Sequence, residues 1–264
     1  MPNYGTGLFE GTAGYFSKYR PIYPPFLVRF LIDRFALNGQ GRMLDLGCGT
    51  GQLTLRFSDW FEEIVGIDVE HEMIEEAQRI HREVRAGNIH WYQGTLEQYK
   101  AGQDKHFKLV TIAKAFHWMD RPQILEELYN MVDDEGGVAI IDNYEPDKKL
   151  EKWQIRLNEV VKKWYGDERR AGDTTYAHPG KSHKEVLTSS KFEVEVHRFP
   201  SYKITWNLES ILGNLYSTSY GARRFIKGNL ETFEREVENA LLEVEARGVF
   251  NETMSLTVLA GVKG

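Results

Sequence analysis

Asp45, Gly47, Gly49 and Gly51 alternate along the run Leu44-Asp45-Leu46-Gly47-Cys48-Gly49-Thr50-Gly51-Gln52. An apolar stretch precedes this run and an amphipathic one follows. That order predicts a strand, a tight turn and a helix start, the place where an α/β protein holds a nucleotide-like ligand. Glycine has no Cβ, so the backbone can come close to a ligand and adopt positive φ. The spacing then separates ligand classes. A dinucleotide fingerprint needs a third glycine at position 52 or 54, where Gln52 and Thr54 stand. A phosphate loop needs Gly-Lys-Ser/Thr, which does not follow. A second acid, Asp68, closes the β-branched run Ile64-Val65-Gly66-Ile67, one helix and one strand beyond the loop. A carboxylate there can accept hydrogen bonds from two ribose hydroxyls. It could equally cap the helix announced by Met73, Ile74, Ala77 and Ile80.

The Asp-x-Gly-x-Gly-x-Gly pattern, with Asp68 at its distance, resembles the first motif of class I S-adenosylmethionine (SAM) methyltransferases. The resemblance covers most of the chain, strongly over residues 15–145 and weakly after that. It implies a cofactor loop of Asp45, Gly47, Cys48, Gly49 and Gly51, with Asp68 on the ribose and Val69 and Met73 beside it. Thr95 and Leu96, after the third strand, would lie near adenine, with Thr95 in place of the more usual Asp. Thr95 with Gln98 also reads as a capping box.

The segment Ala113-Lys114-Ala115-Phe116-His117-Trp118 lacks the Asn/Asp-Pro-Pro-Tyr/Phe motif of nucleic-acid amino-methyltransferases. It is similar instead to the Ala-x-His-Trp segment of small-molecule methyltransferases related to trans-aconitate methyltransferase. By that resemblance Ala113 and Trp118 adjoin the cofactor, and Phe116 and His117 line the substrate pocket. His117 is a candidate general base near neutral pH, and Tyr19 a second one. The stretch Tyr15 to Pro24 resembles the same branch, in which it folds over the cofactor, so Tyr15, Tyr19 and Arg20 are expected there. Residues 208–220 resemble the branch's lid helix, placing Tyr216, Ser219 and Tyr220 at the substrate. Arg223 and Arg224 follow and could clamp an anion or serve as a solvated helix end.

Apolar runs at Met43–Leu46, Ile64–Asp68, Asn88–Gln93, Phe107–Ala113 and Val138–Asp142 predict five strands. Between them, helical patterns fall at Gln52–Phe61, Glu70–Arg85 and from Asp120 onward; another runs from Pro25 to Leu37. This alternation predicts an α/β, doubly wound, mostly parallel sheet. The resemblance extends it to the seven-stranded, Rossmann-like class I methyltransferase fold with an antiparallel last strand, placed at Thr253–Val262. A sixth strand is expected at Phe192–Val196, extending to Thr205. Helices are expected at Lys149–Trp164, Leu208–Tyr220 and Leu230–Ala246. The organisation expected is one domain over 1–264. Within it, 1–22 lies over the cofactor site and 36–145 forms the SAM-binding core. Helical insertions at about 147–190 and 207–250 cap the substrate.

The chain has 264 residues, 41% hydrophobic and 27% charged, with a net charge of −6. The acidic balance argues against a nucleic-acid partner. Cys48 is the only cysteine, so no intramolecular disulfide can form. It reads as a small residue fitted inside the loop. The absence of a signal sequence or a long apolar run predicts a cytoplasmic protein without a membrane partner. No metal site is expected. These readings point to SAM-dependent methyl transfer to a small molecule, a carboxylate among the candidates. A nicotinamide dehydrogenase, a nucleic-acid methyltransferase and a non-catalytic SAM-binding protein are the rivals.

Overall fold

The structure is a computed structural model that describes residues 7–84, 87–100, 106–145, 147–171, 174–176, 179–226 and 228–264. Its elements in chain order are α1 (Ala13–Tyr19), α2 (Pro25–Arg34), β1 (Arg42–Leu46), β2 (Glu63–Asp68), α3 (His71–Val84), β3 (Ile89–Gln93), α4 (Leu96–Lys100), β4 (Phe107–Ala113), α5 (Arg121–Met131) and β5 (Val132–Asp142). Then come α6 (Lys152–Tyr165), the short β6 (Arg170–Ala171) and β7 (Thr174–Thr175), α7 (His183–Thr188), β8 (Glu193–Arg198), β9 (Tyr202–Asn207), α8 (Leu208–Tyr216), α9 (Leu230–Leu242), β10 (Val249–Met254) and β11 (Thr257–Val262).

Seven strands form one sheet in the order β3-β2-β1-β4-β5-β11-β8. β1 to β5 run parallel, and β11 is antiparallel to both β5 and β8. The period-2 alternation of the strands divides the core between the two faces. Leu44, Val65, Val110 and Ile140 meet Leu125 and Leu128 of α5 and Leu187 of α7 on one face. Met43, Ile64, Leu109 and Ile141 meet Leu27 and Leu31 of α2 and Phe57 on the other. Burying one such side chain contributes roughly 1.5–3 kcal/mol.

A third apolar cluster, including Trp153, Ile211, Phe233 and Phe250, joins α6, α8, α9 and the antiparallel β9–β10 pair into a cap. α1 contacts both α3 and α8 and so bridges the sheet and the cap. Gly213 makes this bridge close, since a Cβ there would lie 2.2 Å from the Tyr19 ring. α7 falls inside the stretch 147–190 yet packs on α5, β8 and β11. Its Val186 and Leu187 complete the sheet's core, so the cap is built from the other helices of the two insertions.

Several boundaries differ from the sequence expectation for identifiable reasons. The helix expected over Gln52–Phe61 is a 3-10 helix, Thr54–Trp60, tied at its start by a Thr54 hydroxyl bond to Asp45. The strand expected from Phe192 to Thr205 breaks into β8 and β9 around Pro200, which has no amide to donate. The strand expected over Thr253–Val262 likewise divides at Ser255-Leu256. There the chain passes from the two-stranded β9–β10 sheet into the main sheet. α8 stops at Tyr216 because Ser217 and Thr218 turn their hydroxyls back onto the carbonyls of Asn214 and Leu215, at 2.6 and 2.7 Å. Val84 ends α3 within the described residues, and Arg85 lies outside them.

Trp91 of β3 lies across both Gly51 and Gly66, and a Cβ on Gly51 would meet its ring at 2.5 Å. The indole N–H donates to His81 at 3.0 Å, which fixes the ring. Gly51 also holds φ +78°. Gly51→Ala should therefore cost about 3 kcal/mol, from left-handed strain plus overpacking. Urea unfolding checks this, and an unmoved midpoint would mean that the ring steps aside freely.

Candidate functional site

The loop after β1 is held from below and from the side. Asp45 is buried and faces away from the cavity described below. Its carboxylate accepts from Thr54 Oγ1 at 2.5 Å and Thr111 Oγ1 at 2.7 Å, which ties β1 to the 3-10 helix and β4. Burial pushes its carboxyl pKa up against those two bonds. The amides of Gly47 and Cys48 both donate to the Ile67 carbonyl, at 2.8 and 3.0 Å. Gly47, Gly49 and Gly51 all have positive φ, and a Cβ on Gly47 would lie 2.5 Å from that of Ala115. Cys48 is buried behind the loop. Burial, with Asp68 and Asp45 nearby, drives its thiol pKa well up, so it is a neutral spacer and not a nucleophile.

Asp68 ends β2 on the wall of the cavity. One carboxylate oxygen accepts from the Gly49 amide at 2.8 Å and the other from the Glu70 amide at 3.0 Å. Burial still raises its pKa to about 6, against those two bonds.

A cavity of about 1860 Å³ opens at the carboxyl ends of the parallel strands, where the topology of such sheets places ligands. Gly47, Gly49, Asp68, Val69 and Met73 line it from β1, β2 and α3. Thr95, Leu96, Ala113, His117 and Trp118 line it from the ends of β3 and β4, and Arg20, Ser219 and Tyr220 from the far side. Thr95 also forms the capping box: its hydroxyl accepts from the Gln98 amide at 3.2 Å, and its own amide donates to the Gln98 side chain at 2.8 Å.

Other expected site residues lie off this wall. Phe116 is buried in the sheet core. The Tyr19 hydroxyl donates to Glu209 at 2.6 Å on the surface. Tyr15 packs between Tyr19 and Tyr216, with ring centroids 6.3 and 5.3 Å away, and its hydroxyl accepts from Arg223 at 2.7 Å. Tyr216 is buried and donates to Glu234 at 2.9 Å. Arg224 donates to the carbonyls of Gly7, Leu8 and Glu10. Both arginines thus fasten the amino-terminal segment, and their donors are engaged there instead of reaching into the cavity.

That segment reaches the site by a route the sequence did not reveal; its residues 1–6 lie outside the described residues. Glu70 accepts from the amides of Gly7 and Phe9 at 3.1 and 3.2 Å, and Glu72 from that of Gly11 at 2.6 Å. Phe9 then packs edge-on to Trp118 and Phe16.

Two groupings join expected residues, Arg20 and His117, to others that the sequence did not single out. The first is cationic. Arg20 donates to the Ser217 carbonyl at 3.2 Å, while its Nε is buried without a partner among the described residues. Burial lowers the Arg20 pKa, and the charge of nearby Arg169 adds to this. Lys114, with φ +55°, is pushed down to about 8 by burial and by the charges of Arg20 and Lys148, against Asp142 and Glu252. Arg169 stacks over the Tyr220 ring at 4.2 Å. The second group is His117, Asp142 and His183, whose donor atoms all lie within 4.8 Å of one another on the cavity wall. Asp142 Oδ1 accepts from the amides of Asn143 and Tyr144, at 2.7 and 3.0 Å, and Oδ2 faces His183 Nε2 at 3.4 Å. Burial works to raise the Asp142 pKa, but the His183 hydrogen bond, the charges of His183 and His117 and the Tyr144 amide together hold it below the ordinary value. Asp142 could have been noticed, because it ends a recognisable strand. His183 follows a polar stretch with no periodicity to place it.

The sheet order, the antiparallel β11 and the glycine turn define the class I, Rossmann-like methyltransferase fold. Residues 43–136 match the family described as methyltransferase domain. The chain is 31% identical over 132 residues to the uncharacterized methyltransferase YcgJ of Bacillus subtilis, covering 49% of this chain and 52% of that one. It is 28% identical over 153 residues to the uncharacterized methyltransferase C25B8.09 of Schizosaccharomyces pombe, covering 58% and 54%. The chain thus spans about half the length of these curated relatives. The solved YcgJ structure superposes with a TM-score of 0.56 at 17% identity, over 89% of this chain and 97% of that one. A Haemonchus contortus N-methyltransferase, solved with S-adenosylhomocysteine and phosphomonomethylethanolamine, superposes with a TM-score of 0.56 at 14% identity, over 95% and 56%.

Asp68 makes a pH-dependent contribution to stability. Its folded pKa of about 6 lies above the unfolded value, so the folded chain holds this proton more tightly. The resulting stability is full below the unfolded pKa, roughly pH 4, and is lost as pH rises through about 6. Asp68→Asn cannot titrate. Relative to the parent, that variant should gain about 2 kcal/mol between pH 4 and pH 7. Urea unfolding of both proteins at the two pH values measures the difference, and parallel pH profiles would refute the assignment.

Proposed function

We propose that this chain is a SAM-dependent methyltransferase acting on a small anionic molecule. The observation that carries the reading is Asp68 beside the side-chain-free turn on the cavity wall. The residues present fit the cofactor. The turn lines the cavity with bare backbone at Gly47 and Gly49, both at positive φ, and Arg20 offers a buried Nε without a partner among the described residues. The Gly47–Gly51 backbone and Arg20 would hold the amino-acid end, Asp68 the ribose hydroxyls, and Thr95 and Leu96 the adenine. Once bound, the cofactor supplies a methyl group on a sulfonium whose leaving group is already activated. What remains for the protein is alignment and exclusion of water. Phe9, Phe16 and Trp118 provide an apolar wall for that purpose.

Lys114 and Arg169 supply further positive charge on the cavity wall and support an anionic small molecule, in keeping with the trans-aconitate methyltransferase branch. A nucleic-acid acceptor is less well supported, given the net charge of −6. A chain that binds SAM without turnover is the remaining rival. No helix among the described residues is long and apolar enough to cross a membrane.

Calorimetry with SAM and S-adenosylhomocysteine, followed by labelled SAM with a panel of organic acids, tests the proposal. Both nucleosides should bind, and Asp68→Ala should weaken binding by about 1.5–3 kcal/mol, the range for a hydrogen bond to a charged group. Unchanged affinity in that variant would remove Asp68 from the ribose. Binding without product from any acceptor would favour the non-catalytic reading.

A further inference from the structure

We infer that the Lys114 ammonium anchors a carboxylate of the methyl acceptor and so is a specificity-determining residue. The inference rests on the methyl-transfer reading for the identity of the acceptor, but the anion site itself is a property of the chain.

Lys114 stands in the half of the cavity that the proposed cofactor leaves open. The sheet order puts the ends of β3, β2 and β1 on one side and those of β4 and β5 on the other. Thr95, Asp68 and the glycine turn border the first half, where the nucleoside is proposed to lie. Lys114 follows β4 and borders the second half, together with Asp142 at the end of β5 and Lys148 beyond it. The next residue, Ala115, closes on the turn, where a Cβ on Gly47 would meet its own at 2.5 Å. Lys114 thus adjoins the amino-acid end of the proposed cofactor, across the turn from Asp68 and Thr95.

Its charge has no counter-ion. Nζ lies 5.6 Å from the centroid of the Tyr23 ring and makes no hydrogen bond or ion pair among the described residues. Two acids act on it through space, and both are committed elsewhere. Glu252 pairs with Lys148 at 2.5 Å and accepts from the Trp206 indole at 3.0 Å. Asp142 accepts from the Asn143 and Tyr144 amides with one oxygen and faces His183 with the other. Arg20, after α1, and Lys148 add like charge. Tyr23 before α2, Arg20, Asp142, Lys148 and Glu252 on β10 are thus the groups that face Lys114, and none of them neutralises it. Burial, then the charge of Arg20, holds its pKa down at about 8. A carboxylate brought to Nζ would restore the charged form.

The backbone is strained at the same residue. Lys114 has φ +55°, and its amide is fixed by the Ile141 carbonyl at 2.9 Å. Glycine or asparagine would take this left-handed conformation at lower cost. A long cationic side chain kept there, on a cavity wall, is one retained for its chemistry.

Calorimetry on the full chain saturated with S-adenosylhomocysteine, with succinate and citrate as carboxylate probes, tests the proposal. At least one probe should bind. Lys114→Met, which keeps the chain length and the backbone strain, should weaken that binding by about tenfold or more, the scale of a hydrogen bond to a charged group. Its affinity for S-adenosylhomocysteine should not change. Titrations in two buffers of different ionisation enthalpy read proton uptake. At pH 8, where the free lysine is half charged, the parent should take up about half a proton per site and Lys114→Met none. Lys114→Arg keeps its charge, so its affinity should stay level while that of the parent falls about tenfold per unit above pH 8.

Urea unfolding separates this role from a structural one. The folded lysine holds its proton less tightly than the unfolded one, so parent stability climbs as pH rises from about 8 toward the ordinary lysine value. Lys114→Met should therefore have the higher midpoint, with the full difference present below pH 8. A lower midpoint would make the lysine a packing residue and overturns the proposal. Equal carboxylate affinity in Lys114→Met overturns it too, as does failure of the parent to bind either probe. Loss of S-adenosylhomocysteine in that variant would hand Lys114 to the cofactor and has the same effect. If the nucleoside does not bind the parent, the methyl-transfer reading fails, and the same probes on the chain alone decide the anion site.

Discussion

Three consecutive loop amides have their partners on β2: Gly47 and Cys48 donate to the Ile67 carbonyl, and Gly49 donates to Asp68. The site depends on this seam. It requires the turn to lie flat across the end of the neighbouring strand, which only a run without side chains can do. Asp45 braces it from below through two threonine hydroxyls, and Trp91 closes over its far end. One consequence is electrostatic. Asp68 is drawn out of water by the turn it stabilises, and two amide bonds do not fully offset that loss. The carboxylate is left with accepting capacity facing the cavity, and a ligand hydroxyl would restore what burial removes.

The amino-terminal segment is attached by a different kind of interaction. Its bonds to Glu70, Glu72, Arg223 and Arg224 are many but mostly at exposed or half-buried positions. These are hydrogen bonds between backbone groups or a hydroxyl and charged side chains, with little apolar burial behind them. The sheet beneath is closed by fully buried aliphatic side chains. The amino-terminal segment, which borders the cavity through Leu8, Phe9, Phe16 and Arg20, is thus held mainly by polar contacts and the sheet by apolar packing.

How much of this was legible in the sequence follows from the range of the forces involved. β1, the turn and Asp68 could be read because strand pattern, glycine spacing and a terminal acid are all local. Thr95 could be read both ways and has both features, since a capping residue at a strand end also borders the cavity. The charge of Arg223 is visible in the sequence, but its partner, Tyr15, lies 208 residues away in the chain. The Tyr19 hydroxyl likewise meets Glu209, a partner no local pattern reveals. His183 could not be found from pattern alone. It matters only because a strand end, a helix start and an arginine converge, and each is contributed by a different part of the fold.

Net charge was the least transferable of the sequence quantities. The chain is acidic overall, yet its cavity gathers Arg20, Lys114, Lys148, Arg169 and Arg121. These two facts act at different distances. An acidic exterior repels an extended polyanion over a Debye length, about 8 Å at physiological ionic strength. Inside the cavity, low-dielectric walls focus the field of each charge and water screens it less. The pKa values of Arg20 and Lys114 are lowered first by burial and only then by neighbouring cations. The same wall also carries Asp68, Glu70 and Asp142, so what a bound group meets is set by which of these charges it lies beside and not by the sign of the whole chain.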